Sequence, residues 1–466
     1  MRKLIFKIFF HFIIALTFVQ CQKVTDSSTN EEPIVEQKKP NFIVIYTDDH
    51  GYSDLSAQGV KTDVKTPNID ALAVHGVRME SGYSTAPQCI PSRAGILIGR
   101  FQSKFGLELN ADSKEGFNAQ ITIGDRLKTA GYTTGMAGKW HLGANEEIVD
   151  HGFDQVFQKN SSNNEIANFD LNGNTFPIKE GSTNLYHLEA CSKAATTFIE
   201  MNKDNPFFFY LAYRAPHVPL DATQKYLARF PGEMPERRRQ ALAMLSAVDD
   251  GVGEIVKALK DNNLLENTVI FIIGDNGAPL KITKEDKPGG GPGWDGSLND
   301  PLNGEKGTLI EGGIRTPFVV YWKDKLINGV YKHPVSALDF AATAVELAGM
   351  TKDNTLDGVN LIPYLNGEKA GAPHEILCWR WGGQSAIRKG KWKFLKGDNR
   401  EYLFDLDADI GEINNLLSVE PEIATELKED LRVWTNGLTP GGFSNGGMTA
   451  AANNYFDYYL DGLPNN

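Results

Sequence analysis

The run Ala86-Pro87-Gln88-Cys89-Ile90-Pro91-Ser92-Arg93-Ala94-Gly95-Ile96-Leu97-Ile98-Gly99-Arg100 sets the reading of the whole chain. A cysteine is followed by Pro91 and Arg93, and then by an apolar stretch with the composition of a helix. Proline at a first helical position is pre-set in φ and forfeits no hydrogen bond. The pattern therefore predicts a helix beginning at Pro91, with Cys89 at its N-terminus. Free N–H groups and the helix dipole favour negative charge at that end. Arg93 adds a fork-shaped cation suited to an anion with several oxygens. The residues alone describe a nucleophile in an anion-binding pocket. A thiolate is the plain chemical candidate, because positive surroundings lower a cysteine pKa.

Outward from this stretch, two apolar, β-branched runs end in oxygen ligands. Asn41-Phe42-Ile43-Val44-Ile45-Tyr46 gives way to Thr47-Asp48-Asp49-His50-Gly51, and Val269-Ile270-Phe271-Ile272-Ile273 to Gly274-Asp275-Asn276-Gly277. Both read as buried strands. Interior strands that release hard donors at their carboxyl ends suit an open α/β sheet with its site there. Three carboxylates and one amide, from Asp48, Asp49, Asp275 and Asn276, match the oxygen preference of Ca²⁺, with Mg²⁺ second. The sequence has no Cys/His zinc spacing.

Between these runs, residues 68–77 and 124–130 read as short helices. Tyr132-Thr133-Thr134-Gly135-Met136-Ala137 reads as a strand leading into Gly138-Lys139-Trp140-His141-Leu142-Gly143. In extended chain Lys139 and His141 point to one face. A cation beside an imidazole suits anion binding and proton transfer. Residues 158–186, rich in Asn, Gly and Ser, read as a surface excursion. Pro206-Phe207-Phe208-Phe209-Tyr210-Leu211-Ala212-Tyr213 is a further buried strand that delivers Arg214-Ala215-Pro216-His217 to the same sheet edge. A histidine there titrates in the useful range and can protonate a departing alcohol. Residues 240–259 form an amphipathic helix, with Asp249 and Asp250 expected on its solvated face. The glycine-rich stretch 287–299 reads as a loop, and Trp294 within it is a candidate sugar-facing surface.

Cys-x-Pro-Ser-Arg resembles the maturation signature of type I sulfatases. The Lys139/His141 hexapeptide and both Asp-containing strand ends are similar to further motifs of that family. So are Gly304-Glu305-Lys306-Gly307 and Glu311-Gly312-Gly313-Ile314-Arg315-Thr316-Pro317. Ile90 stands where a small residue is more usual, and Ile98 replaces a common Thr. The resemblance covers about residues 40–435. It implies an α/β, alkaline-phosphatase-like large domain with a mostly parallel central sheet flanked by helices. A small C-terminal domain with an antiparallel sheet and a helix would follow.

The resemblance further implies that Cys89 is oxidised to formylglycine by a maturation enzyme, and that its hydrated aldehyde is the nucleophile. Asp48, Asp49, Asp275 and Asn276 would hold Ca²⁺ beside it, within reach of residue 89 itself. Arg93, Lys139 and Lys306 would balance negative charge. His217 would protonate the leaving sugar oxygen, and His141 would take a proton from the second hydroxyl. Arg315 is expected to be a structural ion-pair partner. The expected substrate is a sulfated carbohydrate of the algal galactan, ulvan or glycosaminoglycan kind. A phosphomonoester or phosphonate ester hydrolase of the same superfamily is the nearest alternative. A surface lipoprotein that binds sulfated glycans with Cys89 unmodified is the non-enzymatic one.

A chain of 466 residues with 41% hydrophobic and 23% charged residues is an ordinary globular composition, long enough to divide into two domains. A net charge of −12 argues against nucleic acid as partner. Residues 1–20 carry Arg2, Lys3 and Lys7 before an apolar stretch too short to span a bilayer, which reads as an export signal. Export to the periplasm or cell surface follows. Cys21 comes directly after and is a candidate lipid anchor, although Phe18-Val19-Gln20 departs from the usual small residue before such a cysteine. Residues 21–39 then form a polar tether, 40–365 the catalytic domain, and 366–466 a C-terminal subdomain and tail. Within that last part 385–394 reads as a hairpin, 402–406 as a strand and 421–435 as a helix. Trp379, Arg380 and Trp381 are candidates for the sugar site or for core packing. The Gly/Asn-rich tail after Gly437 is expected to be loosely ordered. Whether Cys191 and Cys378 pair is left open.

Overall fold

The buried runs of the sequence form the middle of a ten-stranded sheet. The computed structural model describes residues 38–465, apart from 160–164, 167, 173, 178–184, 283–293 and 444–446. The expected export signal, Cys21 and most of the tether lie outside the described residues, as do residues 287–293 of the glycine-rich loop. The strands of the large sheet are β1 (Asn41–Asp48), β2 (Val77–Met79), β3 (Thr133–Gly138), β4 (Gln155–Lys159), β5 (Asn168–Leu171), β6 (Asn174–Pro177), β7 (Phe207–Pro216), β8 (Thr268–Gly274), β9 (Phe318–Tyr321) and β10 (Gly329–Tyr331). Their spatial order is β10-β2-β9-β8-β1-β7-β3-β4-β5-β6. The central strands β8, β1, β7, β3 and β4 run parallel. Thr47 pairs with Gly274, and Ala212 with Gly138, so these carboxyl ends lie side by side.

Alternation explains why β1 has no polar face. Phe42, Val44 and Tyr46 enter one core, while Ile43 and Ile45 enter the other. Helices α1 (Pro67–Val74), α3 (His187–Asn202) and α4 (Glu236–Asp261) cover the second face. Helices α2 (Cys89–Ile98) and α5 (Asp339–Leu347) cover the first.

A second, antiparallel sheet holds β11 (Leu377–Trp381), β12 (Gln384–Lys389), β13 (Trp392–Gly397) and β14 (Arg400–Asp405). One face packs Cys378, Ile387, Phe394 and Leu403 on helix α6 (Pro421–Thr435). The other packs Trp379, Leu395 and Phe404 on Leu309, Ile310 and Ile314 of the large domain. A buried ion cluster crosses this junction. Lys393 Nζ lies 2.9 Å from Glu311 Oε1 and 2.8 Å from Glu412 Oε1, with all three side chains out of solvent. Arg315 pairs with Glu311 at 3.3 Å and donates to the Glu80 carbonyl, the structural part expected of it.

Several expectations are corrected. Helix α2 begins at Cys89, so Pro91 is its third residue rather than its first. That position also has no intrahelical N–H bond to lose. The segment read as a surface excursion adds β5 and β6 to the sheet edge. The tail is not wholly loose: residues Ala450–Tyr459 form helix α7, capped by the Thr449 side chain, which accepts from Ala452 N–H. Phe456, Ala452 and the preceding Met448 pack into the core of the small sheet. Cys89, Cys191 and Cys378 form no disulfide among the described residues. No helix among the described residues is long and apolar enough to cross a membrane.

Asp249 is buried rather than solvated, because it serves another helix. Its carboxylate accepts from Asn68 N–H at 3.0 Å, Ile69 N–H at 2.8 Å and the Asn68 amide at 2.8 Å. These are orphan donors at the start of α1. Asp249→Ala is therefore expected to lower unfolding free energy by about 1–3 kcal/mol, the cost of leaving such donors buried and unpaired. Urea denaturation of the two proteins checks it.

Candidate active site

Four adjacent parallel strands each release site residues at their carboxyl ends. β1 ends in Asp48 and Asp49, β8 is followed by Asp275 and Asn276, β7 by His217, and β3 by Lys139 and His141. Helix α2 brings Cys89 and Arg93 against them from one face of the sheet. The chain turns sharply to do this. Asp49 and His141 both hold left-handed backbone, at φ 59° and 64°, a conformation that costs energy and concentrates at functional positions. At Gly138, φ is 96° and an added Cβ would stand 2.0 Å from the Ala212 carbonyl oxygen. That close approach lets Lys139 N–H donate to the same oxygen at 2.8 Å as the strand ends. Trp140 turns the other way, into the core against Phe117, His151 and Phe153. Lys139 and His141 flank that anchor.

The side chains form one connected ionic cluster. Cys89 Sγ lies 3.2 Å from Asp48 Oδ1 and 3.2 Å from Lys306 Nζ. Lys139 Nζ reaches Asp48 Oδ2 at 2.6 Å, and Lys306 Nζ reaches Asp49 Oδ1 at 2.5 Å. Arg93 is fully buried and donates to Asp275 Oδ2 at 2.8 Å and to the Lys139 carbonyl at 3.0 Å. Its guanidinium also covers the Tyr46 ring, 5.5 Å from the centroid. Arg93 therefore ties Asp275 to the end of β3. Asp49 N–H donates to Asp275 Oδ1 at 3.0 Å, and His217 Nε2 stands 3.7 Å from Asp49 Oδ2.

These residues suit a hard cation. One donor atom from each of Asp48, Asp49, Cys89 and His217 lies within 4.8 Å of the others. Asn276 donates its Nδ2 to Asp49 Oδ1 at 2.7 Å and to the Gly277 carbonyl at 2.9 Å. Its Oδ1 is left buried without a hydrogen-bond partner. A buried acceptor without a donor is costly, and a coordinated cation would satisfy it. Asp48 and Asp49 supply charge for such an ion. Burial works to raise both, but Lys139, His217 and Arg93 hold Asp48 well below the usual carboxylate range. Lys306 and His217 hold Asp49 below it. Asp275 takes the opposite direction, pushed up to about 7 by burial and by the charge of Asp48.

Burial, then Asp275 and Asp48, push the Cys89 thiol well above its ordinary value despite Lys306 and Lys139. The positive surroundings expected to activate it are matched by carboxylates. His141 keeps part of its surface in solvent. Partial burial, followed by the charges of Lys139 and Arg93, lowers its pKa to about 3. It is neutral near pH 7.

Some expected residues lie elsewhere, and one was missed. Trp294 is buried, its Nε1–H donating to the Ser297 carbonyl at 2.7 Å, so it offers no sugar-facing surface. Trp379 and Arg380 are also buried, on the Ser84 carbonyl and Glu108, while Trp381 remains half-buried. Asp295 is the missed residue. Its Oδ2 accepts from Val218 N–H at 3.2 Å, and His217 Nδ1–H donates to the Val218 carbonyl at 2.6 Å. Both backbone groups of Val218 are thus engaged, which fixes the imidazole. Burial and then the charge of Asp49 push Asp295 up to about 8. Its only sequence signal was an Asp beside a glycine-rich loop, which also marks ordinary turns.

Carboxylates around a cation site, a nucleophile position at a helix N-terminus, and two lysines facing it define a hydrolase of anionic esters on an open α/β sheet. Comparisons with known proteins give the family. The profile described as "Sulfatase" matches residues 40–350. The chain is 30% identical to N-acetylgalactosamine-6-sulfatase of Mus musculus over 393 residues, covering 76% of this chain and 71% of that protein. It is 31% identical to arylsulfatase A of Bos taurus, covering 84% and 86%. Among solved structures, Ps i-CgsB in complex with k-i-k-neocarrahexaose superposes with a TM-score of 0.76 at 31% identity, covering 92% of this chain and 98% of that one. The chain belongs to the sulfatase family and is a sulfuric ester hydrolase.

Removing the Lys139 cation should release His141 from part of its suppression. In Lys139→Ala the His141 pKa is expected to rise from about 3 toward the ordinary histidine value. A ¹H–¹³C NMR titration of the imidazole reads it. An unmoved resonance would show that burial alone sets the value.

Proposed function

We propose that this sulfatase removes sulfate from a sulfated carbohydrate, using Cys89 oxidised to formylglycine and a Ca²⁺ ion held by Asp48, Asp49, Asp275 and Asn276. One observation carries the reading. Cys89 Sγ stands 3.2 Å from both Asp48 Oδ1 and Lys306 Nζ, so the side chain at this position meets the carboxylates of the cation site and a lysine together. The oxidised, hydrated side chain supplies a hydroxyl nucleophile at that position. The cation, when bound, supplies Lewis-acid charge that favours the ionised form of that hydroxyl and of the transferring group's oxygens. Ca²⁺ suits the all-oxygen donor set best, with Mg²⁺ second.

The chain's own residues do the remaining work. Lys139 and Lys306 face the nucleophile and offset the charge that builds on sulfate oxygens as the ester S–O bond breaks. Arg93 keeps Asp275 and the end of β3 in place behind them. His217, with Nδ1–H committed to the Val218 carbonyl, presents Nε2 to carry a proton to the departing sugar oxygen. His141, neutral near pH 7, accepts the proton of the second hydroxyl when sulfate is expelled.

The carbohydrate substrate is supported by the structural relative in complex with k-i-k-neocarrahexaose. The charged start and short apolar stretch of residues 1–20 support export to the periplasm or cell surface, with Cys21 as a lipid attachment point. A formylglycine-generating enzyme would be the maturation partner.

Cys89→Ser offers a single hydroxyl, so it should accept sulfate and keep it. Intact-protein mass spectrometry should find a stable sulfate adduct and at least about a thousandfold loss of turnover, the scale of removing a nucleophile. Normal turnover by this variant would refute the two-hydroxyl scheme. Ca²⁺ must displace the proton that Asp275 holds up to about pH 7. Calorimetry in two buffers should therefore show proton release on Ca²⁺ binding near neutrality, with affinity falling as pH drops below about 7. Faster release of phosphate than of sulfate from matched esters would favour the phosphoester alternative.

A further inference from the structure

We propose that the cavity beside Lys306 binds the sugar units next to the sulfated one, with Trp381 as its stacking surface. This proposal rests on the carbohydrate reading above. The cavity encloses about 460 Å³ and is lined by Gln88, Asn110, Lys306, Trp381, Ala452 and Tyr455 among others. It therefore opens directly on the catalytic lysine and on the residue before Cys89. A second cavity of about 350 Å³ shares Leu109, Trp381, Thr449 and Ala452 with it as a common wall. Together they extend the active site past a single sugar. Cavities of this size with mostly apolar walls and a few polar groups are typical ligand sites.

The wall is held in place from both sides. Trp381 is half-buried, and its Nε1–H donates to Gln88 Oε1 at 3.3 Å. The same oxygen accepts from Asn110 N–H at 3.2 Å, and Asn110 Oδ1 accepts from Ile90 N–H at 3.2 Å. The indole is thereby tied to the first turn of α2. Opposite it, helix α7 is fixed to the lysine loop. Tyr459 OH donates to Glu305 Oε1 at 2.9 Å, and Asn303 Nδ2 donates to the Tyr459 carbonyl at 2.7 Å. An aromatic face held with its polar edge engaged suits the apolar face of a sugar ring.

Charge sets the direction of the chain. Lys281 and Lys306 line the near cavity, whereas Glu108 and Asp112 line the far one. The sulfated unit takes the lysine end, and hydroxyl-bearing units run over Trp381 toward the carboxylates. The ligand is thus a sulfated oligosaccharide rather than a single sulfated sugar.

The test is calorimetric binding of full-length protein with Cys89 unoxidised to length ladders of carrageenan and chondroitin sulfate oligosaccharides. Disaccharide, tetrasaccharide and hexasaccharide are compared with the matching monosaccharide sulfate. In at least one ladder, affinity should rise with length, and Trp381→Ala should lower affinity for the longest member by about tenfold. Tyr455→Ala, on the opposite wall, should lower it in the same direction if Trp381→Ala fails to fold. Affinity independent of length in both ladders, or a length advantage that both variants keep, overturns the proposal. Binding needs no turnover, so sulfate release by the matured enzyme separately tests the carbohydrate sulfatase reading.

Discussion

Three carboxylates and a thiol crowded at the ends of neighbouring parallel strands are the constraint from which this structure follows. Asp48, Asp49 and Asp275 are all withdrawn from water, and charges so placed must be compensated or neutralised. Arg93, Lys139 and Lys306 provide that compensation, each from a different element. Helix α2 must dock so that Arg93 reaches Asp275. Strand β3 must end where Lys139 reaches Asp48, and the loop before Glu311 must deliver Lys306 to Asp49. The register of the central strands then becomes part of the chemistry, since a slip of one residue would carry the donors to the other face of the sheet.

Much of this was legible because both signals were local. The strands ending in Asp48 and Asp275 are continuous apolar runs, as parallel strands buried on both faces must be. Each stops abruptly at oxygen donors. Lys139 and His141 were legible because Trp140 between them belongs to the core. What escaped depends on partners distant in sequence. Asp249 sits on a helix where a polar residue ordinarily faces water, and only the start of α1, some 180 residues earlier, explains its burial. Trp294 lost its assigned surface role to a hydrogen bond with Ser297 that no pattern announces.

The C-terminal helix shows the same limit from the opposite side. Thr449 caps it, yet the sequence around it is rich in Gly and Asn, and a helix this short has little stability of its own. Its order comes from packing of Phe456 and Ala452 on the small sheet. The buried Lys393, Glu311 and Glu412 cluster likewise had no sequence signature, because its members come from three separate parts of the chain. Such a cluster adds little net stability, because desolvation of its charges offsets their attraction.

The strut between Tyr459 and Glu305 spans 154 positions of sequence. A nascent polypeptide can therefore form its central strands and its cysteine-bearing helix before the brace on the lysine loop has been synthesised. Support for Lys306 from helix α7 thus comes from a segment synthesised well after Cys89 and the strands around it.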